Sequence, residues 1–152
     1  MSVLDRAGIE ARLPHREPFL FLDAIVDRTE DGLVAEWTPS PESDFYRGHY
    51  PGEPVTPGVI LSEHCFQAAA VFISEALSGF SAEDGVPVLT KVEGARFKRI
   101  VRPGETLTTR VSVRERLGPA WYMKGHVTCG DETVLKIQFV LSATQAMARM
   151  EG

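Results

Sequence analysis

Residues 57–78 read PGVILSEHCFQAAAVFISEALS, and this stretch decides the fold. Its apolar side chains fall on nearly every side of a helix, which is typical of a helix that is buried almost all round. Thr56 is a candidate N-cap, Pro57 suits the first helical position, and Gly79 suits the end. At about 1.5 Å per residue, such a helix is about 30 Å long.

Strand patterns flank the predicted helix. Before it, FLFLDAIVD (19–27) is typical of a buried strand, and the Asp-Gly turn at 31–32 leads into the alternating LVAEW (33–37). After it, we expect about four antiparallel strands, with alternation in three segments: TLTTRVSVRER (106–116), AWYMKGHVTC (120–129) and TVLKIQFVLSA (133–143). The sequence therefore predicts a single α+β domain spanning residues 1–152, in which an antiparallel sheet wraps around one long central helix.

Two further segments complete the outline. VLDRAGIEARL (3–13) has helical spacing, and the proline-rich and aromatic segment 38–57 predicts an ordered loop. A sheet of five or six strands curling around the central helix would bury it. We also expect an oligomer, because the flanking strands and the buried helix need a large partner surface as well.

Composition narrows the class of protein. The chain is 43% hydrophobic and 24% charged with a net charge of −5, which is typical of an ordinary globular protein and disfavours a general nucleic-acid binder. The N-terminal residues lack the apolar segment of a signal peptide, and the polar residues Glu63, His64, Gln67 and Glu75 argue against a membrane span in the central helix. With two cysteines and no metal-ligand spacing, the expected location is the reducing cytoplasm.

His49 and Glu63 are the candidate proton-transfer groups. Imidazole suits proton abstraction near neutral pH, and the prolines that follow His49 restrict its backbone; a loop histidine bonded to a carbonyl is the simpler alternative. Glu63 lies on an apolar helix, where burial would raise its pKa and let it hold a proton, unless it reaches solvent or an ion pair.

Three more residues complete a candidate site. Gln67 follows Glu63 by one helical turn and could orient the carboxyl, or could be an ordinary core amide. Gly58 and Val59 carry the first free N–H groups of the helix and could bind an oxyanion, as could the start of many helices. A base, an acid and an oxyanion site suit the dehydration of a 3-hydroxyacyl compound. The neighbours His64 and Cys65 point about 100° apart on a helix and are not expected to act as a pair.

The chain resembles a known family in three segments: LPHREPFLFLD (13–23), GHYPGEPVTPGVILSE (48–63) and RFKRIVRPGETL (96–107). These are similar to the 3-hydroxyacyl-[acyl-carrier-protein] dehydratases of the FabZ and FabA type, from about residue 12 to 143. The resemblance implies the hot-dog fold, a sheet wrapped around a long helix. It implies His49 and Glu63 as the catalytic pair, Gly58 as the oxyanion donor, Gln67 as the partner of the acid, and a structural role for His15.

The resemblance also implies substrate and assembly. The expected reaction converts (3R)-3-hydroxyacyl thioesters on acyl carrier protein to trans-2-enoyl thioesters without a cofactor, in fatty-acid or polyketide-type biosynthesis. The expected assembly is a homodimer or a trimer of dimers with active sites shared between chains. The family's usual residues are replaced by HCF at 64–66, Tyr50 and Thr56, which affects the expected substrate shape.

Two alternatives remain from the sequence. A hot-dog acyl thioesterase could use Glu63 to activate water, although His49 would then have no task. A non-catalytic partner subunit of a heteromeric dehydratase would need no catalytic pair. Acyl carrier proteins are acidic as a class, so a cluster of cations is a candidate docking surface, with a solvated edge strand as the alternative; its members are Arg96, Lys98, Arg99 and Arg102.

Overall fold

A computed structural model describes residues 3–80 and 85–144 of the chain. Three helices and six strands follow one another in this part of the chain. In order they are α1 (Arg6–Glu10), β1 (Ala24–Thr29), β2 (Gly32–Trp37), α2 (Phe45–Gly48), α3 (Gly58–Ala76), β3 (Val86–Phe97), β4 (Leu107–Leu117), β5 (Ala120–Cys129) and β6 (Glu132–Thr144).

The six strands form one antiparallel sheet in the order β1-β2-β4-β5-β6-β3. The sheet wraps around α3, whose side chains join those of the inner sheet face in two neighbouring apolar clusters. This architecture confirms the predicted α+β class and the hot-dog arrangement of one long helix inside a curled sheet.

Alternation of side chains places the core of the C-terminal strands. On β4, Leu107, Thr109 and Val111 are fully buried against the helix, while the residues between them face the other side of the sheet. Gly125 on β5 lies directly under the helix, where a Cβ atom would stand 3.2 Å from the Cys65 sulfur. Helix and sheet are therefore in close contact at this glycine.

The start of α3 differs from the prediction. Pro57 is the N-cap and no side chain caps the helix, so the assignment of Thr56 as N-cap is wrong. The Thr56 hydroxyl instead bonds the Tyr46 hydroxyl at 2.5 Å, and its N–H donates to the Val101 carbonyl. At the other end the helix stops at Ala76, two residues before the predicted end at Ser78. Ser78 and Gly79 then both have positive φ, 58° and 100°, and the Gly79 N–H donates to the Ser74 carbonyl.

Two local differences concern the N-terminal half. The strand predicted over residues 19–27 begins only at Ala24, so residues 19–23 are loop, of which Leu20, Phe21 and Leu22 are buried. The predicted loop 38–57 contains the short helix α2, which ends immediately before His49.

The strand β3 forms one edge of the sheet. It pairs with β6 on one side only, and its apolar side chains Leu89, Val92 and Phe97 are 43%, 47% and 51% exposed. A long strand with a free edge and exposed apolar side chains is a template for pairing with another strand.

Candidate active site

His49 is held on the loop that joins α2 to α3. Its Nδ1 lies 2.9 Å from the Val55 carbonyl oxygen. A carbonyl only accepts hydrogen bonds, so Nδ1 carries the proton and donates it, which leaves the lone pair on Nε2. The Tyr50 ring packs edge-on against the imidazole, with ring centroids 4.8 Å apart. Position and tautomer of His49 are therefore both fixed by the loop.

Glu63 lies one and a half turns into α3. Burial among apolar neighbours raises the pKa of its carboxyl, and a hydrogen bond from Gln67 acts in the opposite direction to a smaller extent. The result is a carboxyl group that keeps its proton to higher pH than a solvated glutamate does.

Gln67 is fully buried and its side-chain amide is fully bonded. The amide oxygen accepts the Phe21 N–H at 2.8 Å, while Nε2 donates to the Phe19 carbonyl at 3.1 Å and to Glu63 Oε2 at 3.1 Å. The Phe21 N–H and the Phe19 carbonyl fix which end of the amide is the oxygen and which is the nitrogen. Gln67 therefore presents an N–H to Glu63 in a single orientation.

The first turn of α3 is shaped by an aromatic ring. A Cβ atom on Gly58 would lie 3.1 Å from Cε1 of Phe97, so a glycine fits where a larger residue would push the ring away. The Gly58 and Val59 amides are the first of the helix and have no helical acceptor. The Val59 side chain is 76% exposed, so this turn opens to the surface.

His15 lies beside the carboxyl group, on the loop before β1. Its Nε2 is 3.9 Å from Glu63 Oε2, and its Nδ1 is buried without a hydrogen-bond partner among the described residues. Burial, and then the charge of Arg16, lowers the pKa of His15. At neutral pH the ring is therefore uncharged and forms no ion pair with Glu63. The sequence had suggested only a structural role for this residue.

His64 and Cys65 are not a reactive pair. His64 is fully buried between the Phe21 carbonyl and the Thr109 hydroxyl, each 2.7 Å from a ring nitrogen, and burial lowers its pKa to about 4. Burial raises the pKa of the Cys65 thiol to about 12. Both groups are therefore neutral parts of the core near neutral pH.

The predicted site residues fall into two groups within one chain. Glu63, Gln67 and His15 meet on one face of α3, while His49 is held at the far end of the preceding loop. No hydrogen bond or ion pair joins His49 to Glu63 in residues 3–80 and 85–144. The Val55 carbonyl and the Phe97 ring were missed by sequence reasoning, since a backbone acceptor leaves no pattern and Phe97 follows the strand alternation.

The four cations predicted to dock a carrier protein do not share one environment. Arg99 is bound by two carboxylates, Glu105 at 2.7 Å and Glu132 at 3.4 Å, and the first bond holds the pKa of Glu105 down to about 2. The Arg102 side chain is exposed, and Arg96 and Lys98 lie on the outer face of the sheet. The charge of Arg99 is thus largely compensated within the chain.

Fold and site together define a hot-dog domain with a loop histidine ahead of the central helix and a buried carboxyl on it. A profile of the FabA-like domain family matches residues 13–138. The chain belongs to this family, which confirms the resemblance seen in the three sequence segments.

Two curated relatives share one name, 3-hydroxyacyl-[acyl-carrier-protein] dehydratase FabZ. A 3-hydroxyacyl-[acyl-carrier-protein] dehydratase FabZ of Anaeromyxobacter dehalogenans is 36% identical over 140 residues, which cover 91% of this chain and 90% of the relative. The dehydratase of the same name from Coxiella burnetii is 33% identical over 141 residues, covering 92% of this chain and 97% of the relative.

Solved structures share the fold at low sequence identity. The dehydratase heterocomplex ApeI:P from Xenorhabdus doucetiae is similar with a TM-score of 0.77 at 14% identity, covering 94% of this chain and 95% of that one. The protein PH1136 from Pyrococcus horikoshii follows with a TM-score of 0.62 at 19% identity, covering 85% and 88%. Among the described residues, no helix has the length and apolar character needed to cross a membrane.

Proposed function

We propose that this protein dehydrates (3R)-3-hydroxyacyl thioesters carried on acyl carrier protein, giving trans-2-enoyl thioesters and water. The activity in the names of its relatives agrees with this proposal. The observation that carries it is the environment of the two proton-transfer groups, because the Val55 carbonyl fixes the tautomer of His49 and burial raises the pKa of Glu63. The reaction belongs in fatty-acid or polyketide-type biosynthesis, and the cytoplasm is the proposed location.

His49 is the proposed base. The Val55 carbonyl holds the proton on Nδ1, so the Nε2 lone pair is free to take a proton from the α carbon of the substrate. The imidazolium formed in this step remains bonded to the same carbonyl. The loop therefore stabilises the charged product of the transfer as well as the neutral base.

Glu63 is the proposed acid. Gln67 donates to Oε2, so the proton resides on Oε1, from which it joins the departing hydroxyl group to form water. As the C–H bond at the α carbon breaks, its electron pair forms the double bond and the C–O bond at the β carbon breaks. The Gln67 N–H then stabilises the carboxylate that is left.

The start of α3 is the proposed site for the thioester carbonyl. The Gly58 and Val59 amides point out of the helix at the positive end of its dipole, where negative charge on the carbonyl oxygen is stabilised. The absence of a side chain on Gly58 allows this close approach, and the Phe97 ring beside it restricts the direction of entry.

A shared active site completes the proposal. His49 and Glu63 are separated within one chain, yet they must act on adjacent carbons of one substrate. The exposed apolar edge of β3 is suited to pair with the same edge of a second copy, and such a two-fold assembly can bring His49 of one chain to Glu63 of the other. The functional unit is therefore a homodimer, alone or within a trimer of dimers.

The two alternatives explain less of the geometry. A thioesterase needs Glu63 to be ionised so that it can activate water, whereas burial raises the pKa of this carboxyl. In a non-catalytic partner subunit, the fixed His49 tautomer and the Gln67 bond to Glu63 would have no function.

The test is product analysis with 3-hydroxyacyl groups of several chain lengths on acyl carrier protein. We expect an enoyl thioester from the wild type, and kcat reduced at least about 100-fold in His49→Ala and in Glu63→Gln. Glu75→Gln makes the same change further along α3, where it loses ion pairs to Arg12 and Arg28 but no proton-transfer group, and this control should keep activity close to the wild type. Release of free acid by the wild type would favour the thioesterase, and full activity of either site variant would refute the assigned roles.

A further inference from the structure

The outer face of the sheet carries a row of four basic residues that cross four neighbouring strands. Arg110 on β4 is directly opposite His126 on β5, His126 is opposite Lys136 on β6, and Lys136 is opposite Arg96 on β3. We call these four residues the basic row. With strands about 4.8 Å apart, the row is about 14 Å long.

The basic row faces away from the core. Val111, Val127 and Ile137 alternate with its members along the strands and are buried against α3. On the outer face, Lys98 and Lys124 join the row around a shallow depression of about 770 Å³. No carboxylate is among the residues that line this depression.

The arrangement is unfavourable for the isolated chain. Like charges directly opposite each other on neighbouring strands destabilise a sheet, and Lys136 opposite Arg96 is such a pair. In the part of the chain described here, none of the five lysine and arginine side chains around the depression forms an ion pair with a carboxylate. Burial, followed by the charges of Lys136 and Arg110, lowers the pKa of His126. A partner of opposite charge would remove this repulsion.

The position of the row connects it to the proposed site. Its last member, Arg96, precedes Phe97, whose ring lies against Gly58 at the start of α3. Arg96 and Lys98 flank that ring in sequence and line the depression on the other face. A macromolecule bound on the row would therefore lie close to the turn at which the thioester carbonyl is proposed to bind.

We propose that the basic row, with Lys98 and Lys124, is the surface on which the acidic carrier protein docks to deliver its acyl group. This inference rests on the function proposed above. It replaces the cluster predicted from the sequence, of which only Arg96 and Lys98 take part. An acidic protein fits better than a nucleic acid, because the net charge of −5 repels a long polyanion outside this local patch.

The test reverses one charge in the middle of the row. Lys136→Glu turns the like-charge contact with Arg96 into an opposite-charge contact, so the variant should fold at least as well as the wild type. Arg116→Glu is the matched control, because Arg116 is an exposed cation on β4, away from the β3 edge, and lies outside the depression.

Steady-state kinetics are measured with two substrates that carry the same acyl group. One is the acylated carrier protein and the other is a small pantetheine-type thioester. For Lys136→Glu we expect KM for the carrier-bound substrate to rise at least about fivefold at low ionic strength, with the small thioester unaffected. The difference should shrink at high salt, and Arg116→Glu should behave like the wild type with both substrates. An unchanged KM for the carrier-bound substrate in Lys136→Glu, or equal losses with both substrates, would overturn the docking proposal.

Direct binding separates docking from the proposed function. If the wild type dehydrates neither substrate, the function fails, but its Kd for purified carrier protein can still be compared with that of Lys136→Glu. Weaker binding by the variant alone supports the docking surface. Carrier binding that is equal in both proteins, together with loss of binding to a single-stranded oligonucleotide, would assign the row to a nucleic acid instead.

Discussion

His64 is a fully buried imidazole that takes no part in the proposed reaction. Its pKa is about 4 in the folded protein, compared with the ordinary value of 6.5 in an unfolded chain. Between these values the unfolded chain binds the additional proton, so the folded state loses stability as the pH falls from 6.5 to about 4. The difference between the two pKa values corresponds to a loss of about 3 kcal/mol in the free energy of unfolding once the pH is below both values.

We predict that the free energy of unfolding of the wild type decreases over this pH range and that His64→Gln removes most of the decrease. Urea denaturation at pH 7 and pH 4.5 measures this. His126→Gln is the control and should keep most of the pH dependence, because His126 lies on the sheet surface. Titration of the histidine ring signals by NMR checks the wild type directly, and protonation of His64 near pH 6 would contradict the prediction.

Contacts of single residues were predictable from the sequence where two side chains lie one turn apart on the same helix. The spacing of four residues placed Gln67 beside Glu63, and the structure has a hydrogen bond between them. The Val55 carbonyl that fixes His49 is a backbone group, and any residue at that position would supply it. Thr56 failed as an N-cap because its hydroxyl is bonded to Tyr46, a contact that depends on the fold of the whole loop.

At the scale of elements, the contact between α3 and β5 depends on a glycine. A Cβ atom on Gly125 would meet the Cys65 sulfur and Ile137 Cγ2, each at 3.2 Å, in the fully buried core. Neither neighbour can move out to solvent. The distance between helix and sheet is therefore set by the small volumes of residues 65 and 125 together.

We predict that Gly125→Ala destabilises the protein by about 1–3 kcal/mol through overpacking. Cys65→Ala removes the sulfur that the new methyl group meets, so the double variant should be more stable than the sum of the two single effects. Chemical denaturation of the four proteins gives the coupling energy. Strictly additive effects would show that the two positions do not share this space.

Whole elements were predictable where side chains alternate or follow the helical period. The strands β4, β5 and β6 and the helix α3 were found in this way, whereas β3 was expected only as a fourth strand without bounds. The first part of the strand predicted over residues 19–27 was wrong for a specific reason: the peptide groups of Phe21 and Leu22 are bonded by side chains rather than by a neighbouring strand. The Phe21 carbonyl and N–H bond His64 and Gln67, and the Leu22 carbonyl accepts from Arg6.

At the scale of the whole molecule, the proposed sharing of active sites can be tested by complementation. His49→Ala and Glu63→Ala are unfolded together in equal amounts and refolded. Random pairing makes half of the dimers mixed, and each mixed dimer has one intact site of two. We therefore predict a return of about a quarter of the wild-type activity if dimers are the functional unit. A mixture no more active than the separate variants would mean that each site lies within one chain.

The strand order of the sheet has a consequence for synthesis of the chain. β6 lies between β5 and β3, so the sheet remains in two parts until residues 132–144 have been made. The apolar helix α3 ends at Ala76, and at about 5–20 residues per second it waits several seconds for this strand. During that interval a nascent chain exposes its most hydrophobic segment, and β3 has no strand to pair with. Assembly through the β3 edge therefore follows completion of β6. A chaperone that binds α3 is most useful before β6 is complete.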